Sequence, residues 1–332
     1  MSFPIAQGST PNAARWIKRS LLGLLLTTTA LMVGCSNIAN PSNLPPNGTL
    51  VDVGGSKLDL FCQGTASGST VILDAGNGET SLTWTLVQPE VAKFTRVCAY
   101  DRAGYAWSEA STKARSVPVM VDELHALLKG AGIQGPVVLV GHSLGGIIAR
   151  QYATKYSREV SGLVLVDSAH EGQFQRLPAS VVEATASGLN QLKTAEQLIG
   201  MGLSGIVSTM VPLEKRLPAA IAEKDRALML ADPKQVAATR RELEELMKGD
   251  TKPVATLGAL PLVVLSRGKA EAGMNEDTSA QTEKIWTTMQ LELAALSNHS
   301  QHVTVTGSGH GIQLDKPQAV IDAIREVWTT QR

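Results

Sequence analysis

The sequence predicts an α/β protein, with a mostly parallel sheet and helices on both of its faces. Short apolar runs rich in β-branched residues alternate with longer helical stretches from residue 49 onwards, and this alternation is typical of parallel sheets. The later runs, VVLV at 137–140 and LVLV at 163–166, are apolar throughout, as expected of strands that are buried on both faces.

The composition is that of a globular protein. The chain has 332 residues, 43% of them apolar, and its 30 Lys and Arg balance its 30 Asp and Glu. A formal net charge of zero and the lack of a basic run with interleaved aromatic residues argue against nucleic-acid binding. Three cysteines without CxxC or zinc-type spacing predict neither a disulfide scaffold nor a structural metal.

The individual elements follow from the same patterns. The first two strands are joined through Gly54 and Gly55 and should form an antiparallel hairpin. Strands are predicted at residues 50–53, 57–62, 70–73, 96–100, 137–140, 162–166, 262–265 and 303–305. Helices are predicted at residues 82–92, 117–130, 147–156, 283–297 and 317–329.

The first 34 residues are predicted to be an export signal. The basic stretch RWIKR at 15–19 precedes an uncharged apolar run at 21–33, and Gly34 and Cys35 follow. This is the order of a secretory signal peptide. The run is shorter than the roughly 20 apolar residues that span a bilayer, so a permanent anchor helix is not expected.

Residues 32–35, Met-Val-Gly-Cys, resemble the bacterial lipobox, which implies that Cys35 becomes the first mature residue and carries a lipid. The alternative is an ordinary cleaved signal with an incidental cysteine. Residues 35–48 are polar and rich in Asn and Pro and are predicted to be a flexible tether. Ser36, directly after this cysteine, resembles the residue found there in lipoproteins that Gram-negative bacteria sort to the outer membrane. The expected location is therefore the periplasmic face of the outer membrane.

The stretch 171–257 interrupts the alternation, since it has helical composition but no buried strand. We predict a helical cap over the carboxyl ends of the strands, where open α/β sheets bind their ligands. A structural decoration away from the site is the alternative. The α/β core then consists of residues 49–170 and 258–332.

The strongest chemical motif is Gly141-His142-Ser143-Leu144-Gly145, which lies between an apolar strand and a predicted helix. In this G-x-S-x-G context the two glycines allow a very tight turn, and the turn exposes the hydroxyl of a strained Ser143 at a helix N-terminus. Ser143 is therefore the candidate nucleophile. The alternative is a passive serine in a glycine-rich turn.

A serine nucleophile needs a base, and His310 is the candidate. It follows the last predicted strand, in the loop GSGHG at 307–311, and so lies at the carboxyl edge of the sheet. The other five histidines are less suitable. His142 lies within the motif and is predicted to point away from its neighbour. His125 lies in a predicted helix, His170 lies near the start of the insertion, and His299 and His302 lie before the last strand.

The glycine-rich turn DAGNG at 74–78, directly after the third strand, is the candidate oxyanion turn. The backbone N–H groups of Asn77 and Leu144 are predicted to form the oxyanion hole. Asp74 is expected to brace the turn.

The segments LDAGNG, RVCAYDRAGYAWS, VVLVGHSLGG, GLVLVDSAH and GSGHGIQLDKP resemble those of the α/β-hydrolase superfamily, in particular its serine esterases. The resemblance implies an eight-stranded sheet, a cap between strands six and seven, and a triad in the order serine, acid, histidine. The strand-seven loop SRGKAEAG contains no aspartate; Glu271 lies there, whereas Asp167 ends strand six, a position that some members use.

For the acid we predict Asp167, with Glu271 as the second candidate. An orienting carboxylate must be held rigidly, and Asp167 directly follows a buried strand, whereas Glu271 lies on a loop of Ala, Gly and Lys. A simple strand-end cap is the alternative role for Asp167.

The resemblance also makes the second and fourth strands neighbours. It thereby implies a disulfide between Cys62 and Cys98, since an exported protein meets an oxidising compartment. Two separate buried thiols are the alternative.

The leading functional hypothesis is a cofactor-free esterase that acts on small esters with short to medium acyl chains, without a protein partner. The apolar residues of 192–211 could line an acyl site or form the cap's own core. A perhydrolase or haloperoxidase, or an amidase or peptidase, would share the triad. A lipoprotein that only binds ligands is the hypothesis from another class.

Overall fold

The computed structural model describes residues 46–330. Within them, eight strands form one sheet in the order β1-β2-β4-β3-β5-β6-β7-β8. The pairs β1–β2 and β2–β4 are antiparallel and the other pairs are parallel, which confirms the predicted hairpin and sheet. The strands are β1 Thr49–Asp52, β2 Lys57–Gln63, β3 Val71–Asp74, β4 Val97–Tyr100, β5 Val137–His142, β6 Val160–Val166, β7 Leu262–Arg267 and β8 Ser300–Val305.

Helices cover both faces of the sheet, because successive strand side chains point to opposite sides. On β5, Val137 and Leu139 pack toward α2, α3 and α9, whereas Val138 and Val140 pack toward α1 and α11. The α-helices are α1 Gln88–Val91, α2 Val117–Gly130, α3 Leu144–Lys155, α4 Gln173–Arg176, α5 Ala179–Gly200, α6 Ser204–Ser208, α7 Ala219–Ala231, α8 Pro233–Lys248, α9 Glu276–Ala294, α10 Ile312–Asp315 and α11 Pro317–Thr329. Short 3-10 helices cover Ser81–Trp84 and Ser157–Glu159.

Two predicted helices differ from the observed ones. The helix predicted at 82–92 is a 3-10 turn followed by the separate helix α1, because Pro89 has no N–H and starts a helix more readily than it continues one. The helix predicted from residue 283 begins at Glu276, where the Asn275 side chain accepts a hydrogen bond from the N–H of Thr278 at 2.9 Å.

The predicted disulfide joins Cys62 and Cys98. These two residues are direct partners in the antiparallel pair of β2 and β4. They are neighbours because β3 pairs with β4 and β5 instead of lying between β2 and β4.

Removing this disulfide with the double substitution Cys62→Ala and Cys98→Ala is expected to lower the free energy of unfolding by about 2–4 kcal/mol. The bridge closes a loop with a sequence separation of 36 residues, and the open chain gains entropy mainly in the unfolded state. Urea denaturation of both proteins measures the difference. Alkylation of two thiols in the non-reduced parent protein would contradict the bridge.

The segment between β6 and β7 contains helices α4 to α8. Part of the apolar stretch at 192–211 forms a small core with α8, in which Ile199 and Val207 pack with Val236. Met201 and Met210 are instead exposed, by 65% and 72%. The stretch thus divides between core and surface, and its role as a cap stays a prediction.

The predicted export signal at 1–34, Cys35 and most of the predicted tether at 35–48 lie outside the described residues. Among residues 46–330, no helix is both long enough and apolar enough to span a bilayer.

Candidate active site

Ser143 lies on a strained turn between β5 and α3. Its φ is +50°, a value that non-glycine residues seldom adopt. A Cβ on Gly141 would lie 2.3 Å from the carbonyl oxygen of Gly145, and one on Gly145 would lie 2.4 Å from that of Asp74. The turn therefore requires glycine at both positions, as predicted, and it leaves the Ser143 side chain half-buried at the N-terminus of α3.

Asp167 and His310 are joined by a short hydrogen bond. The ring Nδ1 of His310 lies 2.6 Å from Oδ2 of Asp167, and Asp167 is completely buried. Asp167 directly follows β6 and has a φ of +39°, so backbone strain occurs at the nucleophile candidate and at the acid candidate alike. Such strain often marks functional sites.

Further donors hold the Asp167 carboxylate in place. Its Oδ1 accepts hydrogen bonds from the N–H of Arg267 and from the indole N–H of Trp286, both at 2.9 Å. Burial alone would raise the pKa of Asp167, but the hydrogen bond from His310 and the charge of Arg267 lower it below its ordinary value. The carboxylate is thus ionised, and its position can fix the tautomer and angle of the His310 ring.

Glu271, the second acid candidate, lies elsewhere. Its side chain is 45% exposed, and its charged partner in the described part of the chain is Arg267, at 3.5 Å. Of the two candidate carboxylates, the structure therefore brings Asp167, and not Glu271, to His310.

His125 and His170 have partners away from Asp167. His125 stacks on Tyr156 with a centroid distance of 3.8 Å, and the Nδ1 of His170 accepts the N–H of Gly172. His302 was predicted to precede the last strand, but it lies within β8, which begins three residues earlier than predicted because the Ser300 to Val305 backbone pairs with β7.

The turn at 74–78 leaves the N–H of Asn77 without an acceptor among the described residues. The N–H of Gly76 donates to Oε2 of Glu79 at 2.9 Å, and that of Gly78 donates to the hydroxyl of Tyr105 at 3.1 Å. Among residues 46–330, no acceptor takes the N–H of Asn77 or of Leu144. These two N–H groups are the ones predicted for an oxyanion hole.

A buried charge network that was not predicted holds this turn. Arg102 donates to Asp74 at 2.9 Å, to the carbonyl of Ala75 at 2.6 Å and to that of Gly76 at 2.8 Å. It also forms an ion pair of 2.9 Å with Glu242 on α8. Asp74 braces the turn as expected, and α8 of the insertion takes part through Glu242.

His142, which the sequence predicts to point away from its neighbour in the motif, contacts two other parts of the site. It is buried, with Nδ1 2.7 Å from Oε2 of Glu79 and Nε2 3.0 Å from the backbone oxygen of His310. The His142 side chain therefore lies between the oxyanion turn and the His310 loop. The pattern G-x-S-x-G treats this position as variable and gives no signal of these contacts.

Within the described residues, no group of three or more His, Cys, Asp or Glu side chains is arranged so that it could hold a metal ion.

Comparison with known proteins gives consistent results. The sequence model described as "Alpha/beta hydrolase family" matches residues 71–323. The protein YqjL of Bacillus subtilis is 29% identical over 264 residues, which cover 79% of this chain and 85% of YqjL.

Two solved structures share the fold. An esterase from Thermogutta terrifontis, with malate bound, has a TM-score of 0.58 at 26% identity and covers 83% of this chain and 94% of its own. The epoxide hydrolase CorEH has a TM-score of 0.61 at 17% identity, over 86% of this chain and 98% of its own. At the latter identity the likeness concerns the fold alone.

Proposed function

This chain belongs to the alpha/beta hydrolase family, and we propose that it is a serine hydrolase that cleaves carboxylic esters through an acyl-enzyme. The observation that carries this proposal is the 2.6 Å hydrogen bond between His310 and the buried Asp167, at the same sheet edge as the strained Ser143. By family resemblance, epoxide hydrolases and dehalogenases of this fold have an aspartate at the nucleophile position. The serine at position 143 therefore favours ester hydrolysis over their chemistry.

In the proposed mechanism, His310 takes the proton of the Ser143 hydroxyl while the oxygen attacks the acyl carbon. The tetrahedral oxyanion accepts hydrogen bonds from the N–H groups of Asn77 and Leu144. His310 then returns the proton to the leaving alcohol. Water, activated by His310, releases the acid and restores Ser143, while Asp167 stabilises the imidazolium in both steps.

Labelling with a fluorophosphonate probe tests this function directly, because the probe phosphonylates only an activated serine. We expect the mature protein to be labelled and the Ser143→Ala variant to remain unlabelled. Hydrolysis of p-nitrophenyl acetate should be lost in the same variant. An unlabelled parent protein that is folded and inactive would overturn the proposal and favour a protein that only binds its ligand.

For the substrate, we propose small esters with short to medium acyl chains. The supporting observation is that α5 and α8 pack on each other through the core around Ile199 and Val236, which favours a rigid cap. A fixed apolar pocket discriminates by about 1–3 kcal/mol per methylene. We expect kcat/KM for p-nitrophenyl esters, measured from acetate to palmitate, to peak at or below about C8. A palmitate optimum would indicate a lipase instead.

We also propose, from the sequence alone, that the protein is exported and anchored to a bacterial membrane by a lipid on Cys35. A single Cys35→Ser substitution is expected to abolish incorporation of labelled palmitate and to move the protein from the membrane fraction to the soluble fraction. Lipidation would be contradicted if the parent protein incorporated no labelled palmitate and the variant fractionated as the parent does.

A further inference from the structure

His142 lies between two oxygen acceptors. Its Nδ1 is 2.7 Å from Oε2 of Glu79, and its Nε2 is 3.0 Å from the backbone oxygen of His310. A carbonyl oxygen can only accept hydrogen bonds, and the same holds for an ionised carboxylate. Both ring nitrogens therefore need a proton, and the ring that satisfies both contacts is an imidazolium.

The charges around His142 agree with this state. Burial alone would raise the pKa of Glu79, but the charge and hydrogen bond of His142 and the N–H of Gly76 lower it to about 2. Burial alone would lower the pKa of His142, but Glu79, and to a smaller extent Asp167, raise it above its ordinary value. The ring of His310 lies 4.6 Å from that of His142 and completes the set of titratable groups that face it.

Glu79 and His142 together connect three parts of the site. Oε2 of Glu79 also accepts the N–H of Gly76 at 2.9 Å, so the carboxylate contacts the oxyanion turn. His142 itself precedes Ser143 in the elbow, and its Nε2 contacts the His310 loop. The fit is close, because a Cβ on Gly76 would lie 2.9 Å from Nδ1 of His142.

We propose that Glu79 and His142 form an ion pair that positions the oxyanion turn and the His310 loop against the nucleophile. This inference rests on the proposed function, and it makes the two residues positioning residues that do not touch the substrate. By holding the N–H of Gly76, Glu79 orients the following peptide so that the N–H of Asn77 faces the site. By holding the carbonyl of His310, His142 sets the distance of that ring from Ser143.

A pair with this task has a specific kinetic signature. A misplaced oxyanion donor or base weakens transition-state binding more than substrate binding. Glu79→Gln keeps the size of the side chain and an acceptor oxygen but removes the charge. We expect it to lower kcat for p-nitrophenyl acetate about 10- to 100-fold, the range of a lost charge-assisted hydrogen bond, and to change KM less than about threefold.

The chain offers a matched control. His125 and Glu159 form a second histidine–glutamate pair, with Nδ1 3.0 Å from Oε2, away from the proposed triad. Glu159→Gln should leave kcat and KM unchanged. Circular dichroism and thermal unfolding show whether each variant is folded at the assay temperature. A folded Glu79→Gln protein with kcat within about twofold of the parent would overturn the positioning role.

A second measurement does not depend on activity. The side-chain ¹⁵N resonances of His142, identified by their loss in His142→Gln, should show an imidazolium in the parent protein at pH 8, where a free histidine is neutral. A neutral ring at that pH would overturn the ion pair even if Glu79→Gln did not fold. If the parent neither reacts with the fluorophosphonate nor hydrolyses esters, the proposed function fails, and these resonances still decide for or against the ion pair.

Discussion

Asp167→Asn is expected to lower kcat for ester hydrolysis by up to about 10⁴, with the fold retained. The carboxylate accepts hydrogen bonds from His310, from the backbone of Arg267 and from Trp286. An asparagine has one acceptor oxygen and must direct an N–H₂ group at one of these donors. The arrangement that keeps the bonds to Arg267 and Trp286 forces His310 into the wrong tautomer. Steady-state kinetics with p-nitrophenyl acetate, beside circular dichroism, measure the effect.

Glu271→Gln is the matched control for this prediction. Its side chain is largely solvated and pairs with Arg267 at 3.5 Å, so we expect kcat to change by less than about twofold. If instead Glu271→Gln were inactive and Asp167→Asn were active, the acid would be Glu271, and the roles proposed for Ser143 and His310 would stand.

Glu242→Ala is expected to lower the free energy of unfolding by about 3–5 kcal/mol, because it removes the carboxylate that the buried Arg102 and Arg115 share. Glu242 is completely buried and contacts Arg102 at 2.9 Å, Arg115 at 3.3 Å and the hydroxyl of Tyr105 at 2.8 Å. Burial alone would raise the pKa of Glu242, but Arg102 and Arg115 lower it. Urea denaturation of the parent and the variant measures the loss.

The same helix provides a control for stability. Glu244 pairs with Arg240 at 2.7 Å, but its side chain is 41% exposed, so Glu244→Ala should cost less than about 1 kcal/mol. Equal losses for the two variants would mean that the buried network contributes no more than a surface pair.

The Glu242 network also has a consequence for the site. Asn77 donates from its side chain to the carbonyl of Thr239 at 3.0 Å and to Glu242 at 3.3 Å. Thr239 and Glu242 both belong to α8 of the insertion, so the candidate oxyanion turn is built partly on the insertion. A Glu242→Ala protein that still folds should therefore lose ester hydrolysis as well as stability.

Features that depend on neighbours along the chain were predictable from the sequence. The apolar runs identified the parallel strands, because a strand that is buried on both faces has no polar position. The elbow around Ser143 was readable because the turn itself demands Gly141, whose Cβ would lie 2.3 Å from the carbonyl oxygen of Gly145. His310 was found because the ends of parallel strands share one edge, so that its order along the chain gave its place.

The contacts between side chains across the sheet and the insertion depend on how the whole chain folds, and local patterns do not predict them. Asp167 and Glu271 both follow strands, and the choice between them depended on which carboxylate the fold buries against His310. Glu242 lies in the charged helical run RRELEELMK, which predicts a solvated face. It is buried because Arg102, 140 residues away along the chain, is directed at the same point, and a contact over that separation leaves no periodic signal in the sequence.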